Sequence, residues 1–336
     1  MKAIAYFKNL PADNADALQD ITAPEPVPGD HDLLVDVHAI SVNPVDVKIR
    51  ANRKPKDGQP EIIGWDAAGI VHATGSDVTM FKPGDAVFYA GSITRPGSNS
   101  EYQLVDERIV GHKPASLTEA EAAAVPLTAI TAWELLFERL GVAEGGGEGQ
   151  SLLILGAGGG VGSMLTQLAR KLTRLTVIGT ASRPETNKWV RDLGAHHVID
   201  HSMPLVEQLA AIGIPEVDHV ASLTHTDQHY EQIVKALRPQ GQLALIDDPQ
   251  SLNAVPLKSK SISLHWELMF TRSMFETTDM IEQHRLLERV SQLIDQKVLK
   301  TTLAENFGAI NAANLRRAHA LIETNRSVGK IVLAGF

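Results

Sequence analysis

The 336-residue chain contains no cysteine. That absence excludes disulfides, thiol nucleophiles and thiolate metal sites, so a zinc ion would have to be held by His, Asp or Glu alone. No uninterrupted apolar run approaches the ~20 residues that span a bilayer. The opening Met1-Lys2-Ala3-Ile4-Ala5-Tyr6 reads as a strand and lacks the apolar core and cleavage site of a secretory leader. These absences predict a cytoplasmic protein. Positive charge is also in short supply: 31 Lys and Arg stand against 40 Asp and Glu, a net charge of −9. A nucleic-acid partner is therefore not expected, and no polybasic patch is available for a membrane surface. Neither an internal repeat nor a low-complexity tract interrupts the chain, and its length has room for about two domains.

The thirteen histidines offer one cluster, His196, His197 and His201 with Asp200. Neighbouring residues on a strand point to opposite faces, so this spacing does not gather ligands. It reads as polar residues flanking a strand over 196–199, and no metal site is expected.

The richest stretch is Ser151-Leu152-Leu153-Ile154-Leu155-Gly156-Ala157-Gly158-Gly159-Gly160-Val161-Gly162. An apolar strand runs into a glycine turn that opens a helix. Glycines allow the turn, let backbone N–H groups approach a pyrophosphate, and let the helix pack closely on its strand. The helix start then offers unpaired N–H groups and a positive dipole end. Val161, Leu165, Leu168 and Leu172 follow at helical spacing and define one apolar face. Leu175-Thr176-Val177-Ile178-Gly179-Thr180 then reads as a buried parallel strand, which completes a βαβ unit. The nearby Gly145-Gly146-Gly147-Glu148-Gly149 has no strand before it and reads as a loop.

An NAD site places Asp or Glu after the second strand, roughly 20 residues past the glycines, to bind the ribose hydroxyl. Here the chain reads Thr180-Ala181-Ser182-Arg183-Pro184, without a carboxylate. Ser182 can donate to a 2′-phosphate, Arg183 can hold it with a charge-assisted fork, and Lys188 can add a third contact. The competing reading leaves Arg183 and Lys188 as solvated surface charges. The missing carboxylate favours NADPH over NADH.

Residues 1–115 carry short apolar runs broken by Pro and Gly, such as 33–37, 70–71 and 86–89, and predict a β-rich domain. Thr118-Glu119-Ala120-Glu121 is a capping box opening a helix, and Pro126 to Leu140 reads as a second helix stopped by Gly141. Strand patterns at 151–155, 175–180, 196–199, 217–222 and 242–247 then alternate with helical ones. One of these runs from Gln228 to Leu237 and ends at Pro239. The alternation predicts an α/β fold with a parallel sheet covered on both faces. A long helical pattern over 279–296 and a closing strand at 328–333 complete the chain, and the end is expected to return to the N-terminal domain.

In this arrangement the whole chain resembles the medium-chain dehydrogenase/reductase superfamily, and specifically its zinc-free quinone oxidoreductase branch. The resemblance rests on Ser41-Val42-Asn43-Pro44-Val45-Asp46, Gly64-Trp65-Asp66-Ala67-Ala68-Gly69-Ile70-Val71 and Phe81-Lys82-Pro83-Gly84-Asp85-Ala86-Val87. Ala157, Gly159 and Gly162 add the Ala-x-Gly-x-x-Gly form of the cofactor loop. The chain is also similar to proteins called zinc-type alcohol dehydrogenase-like. The resemblance implies a GroES-like catalytic domain over 1–125, completed by about 265–336, and a Rossmann NADPH-binding domain over 126–264. It implies a homodimer as well. Where zinc enzymes of the family place Cys, His and Cys, this chain has Asn43, Trp65 and a residue near Leu127, a set unsuited to zinc.

Without a Lewis acid nothing lowers an alcohol's pKa, whereas hydride addition to a quinone or enone places charge on a remote oxygen that hydrogen-bond donors stabilise. The resemblance implies roles on that basis. Asn43 donates to the substrate carbonyl or fixes the following turn. Asp46 positions a neighbour, with an ordinary carboxyl pKa near 4. Lys48 stands where many relatives carry Tyr; it attracts an oxyanion or lies on the surface. Trp65 walls a flat acceptor or packs in the core, and Tyr89 supplies a hydroxyl or caps the barrel. His265, with Met269 and Phe270 beside it, donates a proton or sits buried. Around the cofactor stand Thr131, the loop Gly156, Ala157, Gly159, Gly160, Val161 and Gly162, the strand-end residues Leu223 and Asp247, and Ser327, Gly329 and Lys330 as the closing segment. The expected activity is NADPH-dependent reduction of quinones or other α,β-unsaturated carbonyls. Two other readings are a zinc-type alcohol dehydrogenase and a non-enzymatic NADPH-binding sensor.

Overall fold

In a computed structural model that describes residues 1–56 and 58–336, the chain divides into two units. One comprises Met1–Ile130 with Phe270–Phe336, the other Thr131–Met269. The first boundary falls inside the helix Pro126–Trp133.

The second unit is built on six parallel strands. Numbered along the unit, Ser151–Leu155, Thr176–Thr180, His197–Ile199, Val217–Ser222, Leu237–Leu245 and Ser263–Trp266 stand in the order 3-2-1-4-5-6. Both strand faces are apolar because helices cover them: Leu153, Leu155, Ile178, Val220, Leu243 and Leu245 form a continuous buried cluster. Each such side chain contributes roughly 1.5–3 kcal/mol. The order reverses between the first and fourth strands, so the crevice beyond Leu155 and Ser222 is where a doubly wound sheet takes its ligand.

Three details of this unit differ from the sequence pattern. The helix Gly160–Leu172 is enclosed rather than one-sided, with every residue from Gly162 to Ala169 buried. Its polar groups are satisfied internally, for example Thr166 Oγ1 donating to the Gly162 carbonyl at 2.7 Å. Pro239 does not follow a helix that runs through Leu237. The helix Thr226–Ala236 ends one residue before, and the strand already begins at Leu237. The proline is tolerated because the register slips there, with Gln240 in the left-handed region at φ 65°. Finally, the expected helix from Pro126 to Leu140 changes character at Trp133 and continues as a π-helix over Glu134–Arg139. The amide of Leu140 accordingly donates to the Leu135 carbonyl, at 2.9 Å.

The first unit centres on the long strand Asp32–Val42. It pairs antiparallel with Ala67–Thr74, with Tyr102–Asp106, and with Lys330–Ala334 from the far end of the chain. The helix Glu282–Asp295 lies against Val110–His112, so closely that a side chain at Gly111 would meet Leu287 Cβ at 2.6 Å. The capping box at Thr118 is present, with Glu121 reaching back to the Thr118 N–H at 2.9 Å. The stretch Glu119–Arg139 is long and apolar enough to cross a membrane by composition, longer than any apolar run noted in the sequence, but most of it is buried inside the protein.

Candidate active site

The glycine turn has the geometry its sequence implies. Gly156 adopts φ 81°. The turn is closed by the Gly159 N–H donating to the Gly156 carbonyl at 3.2 Å and by the Gly156 N–H donating to Thr180 Oγ1 at 3.1 Å. A Cβ at Gly162 would stand 2.6 Å from Ala157 Cα and collide with the Gly156 carbonyl, so only glycine lets this helix sit on this turn. Gly159 is the N-cap residue and supplies no side-chain cap. The first N–H groups of the helix, at Gly160, Val161 and Gly162, therefore keep their capacity for an anion. These features fit the pyrophosphate of a dinucleotide.

Beyond Thr180 lies a cavity of about 510 Å³ lined by Ser182, Arg183, Asn187, Lys188 and Arg191, together with Asp192 and Asp200. Arg183 is about one-third exposed and stands 3.4 Å from Glu185. Lys188 pairs with Asp192. Burial works against the charge of Asp200, but the hydroxyl and N–H of Ser202 hold its carboxyl below the usual range. Two further residues chosen from sequence stand at the carboxyl edge. The Leu223 N–H extends the sheet by donating to the Leu155 carbonyl at 3.2 Å. Asp247, expected to meet the cofactor, instead has both oxygens on the N–H and hydroxyl of Thr226, where it closes the start of the helix Thr226–Ala236. Thr131 is buried, at 5 % exposure.

In the first unit the expected substrate groups are turned on each other. Asp66 is fully buried. Its Oδ1 accepts the Leu127 N–H at 3.0 Å, and its Oδ2 accepts Asn43 Nδ2 at 3.0 Å and Lys330 Nζ at 3.1 Å. Lys330 also donates to the Val42 carbonyl at 3.1 Å and to Asn43 Oδ1. Of the positions the resemblance sets against zinc ligands, Asn43 is bound to this Asp–Lys pair, as is the N–H of Leu127, near the third position, while Trp65 Nε1 donates to the Ser92 carbonyl at 2.9 Å. A donor set of ammonium, amide and indole does not fit a cation. Among the described residues no three His, Asp or Glu side chains gather as metal ligands elsewhere.

Several expectations are corrected here. Asn43 has its amide on Asp66 and on the Ser41 carbonyl, at 3.3 Å for the latter, so it is a structural link and not a donor to a substrate carbonyl. Lys330 is 3 % exposed, and its ammonium is held by Asp66, Asn43 and the Val42 carbonyl rather than turned outward to a cofactor. Trp65, 1 % exposed and edge-on to Phe270 with ring centroids 6.3 Å apart, is core and not an open wall. Asp46 is not an ordinary carboxyl. Burial pushes it up to about 7, against the pull of the Asn43 N–H at 2.8 Å and of Lys330. Burial raises Asp66 as well, and Lys330 and two N–H donors counter it only in part, whereas Asp46 Oδ1 has no partner among the described residues. Tyr89 is fully buried with its hydroxyl unpaired among the described residues, and burial drives its pKa far upward, so the phenol stays protonated. Lys48 is exposed, Ser327 is half-buried, and Gly329 turns the chain at φ 55° just before Lys330.

Sequence reading missed a second buried acidic site, in the Thr131–Met269 unit. Glu267 shares a hydrogen bond with Glu134 and accepts Arg139 Nε at 2.7 Å. Burial and the facing Glu134 carboxylate push Glu267 up to about 9. The π-helix brings Glu134 and Arg139 to it. The signal was a lone glutamate inside each of two apolar runs, Trp133-Glu134-Leu135-Leu136 and Trp266-Glu267-Leu268-Met269. Beside it, His265 is half-buried with Nε2 unpaired among the described residues, and burial, then Arg139, keep it below its usual pKa and neutral at pH 7.

A strand order of 3-2-1-4-5-6, a glycine turn shaped for pyrophosphate and a β-rich companion unit define a pyridine-nucleotide oxidoreductase. Sequence comparison agrees. Residues 29–126 match the alcohol dehydrogenase GroES-like domain and residues 193–333 the zinc-binding dehydrogenase domain. A zinc-type alcohol dehydrogenase-like protein of Staphylococcus aureus is 40 % identical over 338 residues, covering 99 % of both chains. A solved structure from Rhizobium etli CFN 42, provisionally described as a zinc-dependent alcohol dehydrogenase protein, is 54 % identical with a TM-score of 0.95, covering 100 % of this chain and 98 % of that one. The Escherichia coli quinone oxidoreductase complexed with NADPH is 25 % identical with a TM-score of 0.85, covering 99 % and 100 %. The chain belongs to the medium-chain dehydrogenase/reductase superfamily, in its zinc-free branch.

Proposed function

We propose that the protein is an NADPH-dependent reductase of quinones or other α,β-unsaturated carbonyls that works without a metal. The observation that carries this reading is the buried Asp66–Lys330 pair, which binds Asn43 and the Leu127 N–H at or near positions that the resemblance sets against zinc ligands. NADPH, when bound, supplies the hydride. The loop from Gly156 to Gly162 would hold its pyrophosphate, and Ser182 with Arg183 its 2′-phosphate. A conjugated acceptor carries the new charge to a distant oxygen, where hydrogen-bond donors suffice and water supplies the proton. We assign His265, neutral and with Nε2 unpaired among the described residues, as the side chain best suited to pass that proton. Lys48 is assigned to attract the oxyanion, and Thr131, Ser327 and Gly329 to contact the cofactor. We further propose a cytoplasmic homodimer joined at the sheet edge Ser263–Trp266, where Trp266 is 53 % and nearby Leu268 49 % exposed.

The test is NADPH oxidation with phenanthrenequinone or a benzoquinone in buffer containing EDTA. Turnover with NADPH and little with NADH is the expected result. Activity only with an alcohol and added zinc would overturn the metal-free reading, and NADPH binding without turnover on any acceptor would favour the sensor. Arg183→Ala should weaken NADPH by about tenfold, the worth of one charge-assisted contact, and leave NADH unchanged. Equal losses for both cofactors would remove Arg183 from the 2′-phosphate site.

A further inference from the structure

Sequence spacing selects Lys188 as the second cation for the 2′-phosphate, but the cavity beyond Thr180 favours a different one. Pro184, Asn187, Lys188 and Arg191 of the helix Pro184–Asp192 all line that cavity, at the i, i+3, i+4 and i+7 positions of one helical face. Lys188 forms an i, i+4 pair with Asp192, which lines the same cavity. However the ammonium swings, the two charges nearly cancel at the distance of a bound phosphate. Arg183 stands beside Glu185. Arg191 differs: its Nε donates to the neutral Asn187 Oδ1 at 2.8 Å, and it forms no ion pair with a carboxylate among the described residues. That bond orients the guanidinium and leaves its two terminal nitrogens for a planar, bidentate grip, the geometry a phosphate prefers.

The charge count points the same way. The lining holds Arg183, Lys188 and Arg191 against Asp192 and Asp200. Without Arg191 it would carry two cations and two carboxylates and have no net attraction for a dianion. Asp200 does not upset this balance locally, because its Oδ1 faces the N–H and hydroxyl of Ser202.

We infer that Arg191, rather than Lys188, is the second cationic arm of the 2′-phosphate subsite and sets the preference for a phosphorylated cofactor. The inference rests on the NADPH reading above. Calorimetric titration of 2′,5′-ADP and 5′-AMP isolates the phosphate. Arg191→Ala should weaken 2′,5′-ADP by about tenfold or more, as for a lost charge-assisted bond, and leave 5′-AMP unchanged. Arg191→Lys, which keeps the charge but loses the fork, should fall between. The double variant K188A/D192A, which removes a self-cancelling pair, should bind both ligands nearly as the parent does. The assignment is overturned if Arg191→Ala shifts both ligands equally or neither, or if K188A/D192A loses as much as Arg191→Ala. A parent protein that does not distinguish the two ligands would sink the NADPH reading and this inference together. A parent that does distinguish them, with Arg183→Ala erasing the difference and Arg191→Ala leaving it intact, would sink this inference alone. Arg191 is exposed, so thermal melts of its variants should match the parent.

Discussion

The glycine turn and the Asp66–Lys330 cluster are both tightly determined, and in opposite ways. The turn is made of backbone: its glycines hold nothing, and by having no side chains they leave N–H groups facing the crevice. The cluster is made of side chains whose donors and acceptors are turned inward, so that Lys330, Asn43 and Asp66 keep little to offer a ligand. A site that binds keeps its polar groups unsatisfied and preorganised; a site that holds a fold together satisfies them. Polar residues in a family's active-site motif can therefore belong to the second kind.

Lys330→Met should separate the two most sharply. It leaves Asp66 buried without its cation, and removing one member of a buried pair costs about 3–5 kcal/mol. Urea unfolding would measure the loss, while the cofactor affinity of the molecules that remain folded should be unchanged. A variant as stable as the parent would show that the pair is not structural. Gly162→Ala comes next. Its Cβ meets backbone at Ala157 and Gly156, and overpacking of this kind costs about 1–3 kcal/mol. Here affinity for 5′-AMP-containing ligands should fall with stability, and an alanine variant that binds NADPH normally would break the account of the turn.

Glu267→Gln tests the second buried acid, and its effect is confined to one side of the pH scale. Glu267 is raised from an ordinary 4.5 to about 9 in the folded chain, so the native state retains a proton that the unfolded state has released. Stability should then decline as pH rises between those values, by up to about 1.4 kcal/mol per pH unit for one proton. The glutamine variant, which imitates the protonated acid, should lose this slope between pH 6 and 9 in urea unfolding. Parallel slopes for parent and variant would remove the shared proton between Glu134 and Glu267.

What the sequence revealed follows the range of the interactions involved. Ser151–Leu155 and Val217–Ser222 stand at the predicted bounds because an apolar run ended by a turn is a local signal. The start of the fifth strand at Leu237 was hidden by Pro239, since a proline in a bulge looks the same in sequence as one that ends a helix. The π-helix was invisible because it answers to Glu267, more than 120 residues away. The roles of Asn43 and Lys330 were misread for the same reason: they meet across 287 positions, and no spacing rule reaches that far. The cavity that adds Arg191 needed only one helical face, but that face became meaningful once Asp192 was seen to occupy Lys188.

The pairing of Asp32–Val42 with Lys330–Ala334 also has a bearing on synthesis. Every strand of the parallel sheet lies within residues 151–266, so that sheet can assemble before residues 330–334 have been made. The segment Ala39–Val42 must wait for residues 331–334, nearly 300 positions later, before this edge is covered. A chain released short of residue 330 would carry an open β edge beside an uncompensated Asp66, the kind of surface on which chains stick to one another. Whether synthesis proceeds through residues 330–334 therefore bears on how readily these chains stick to one another.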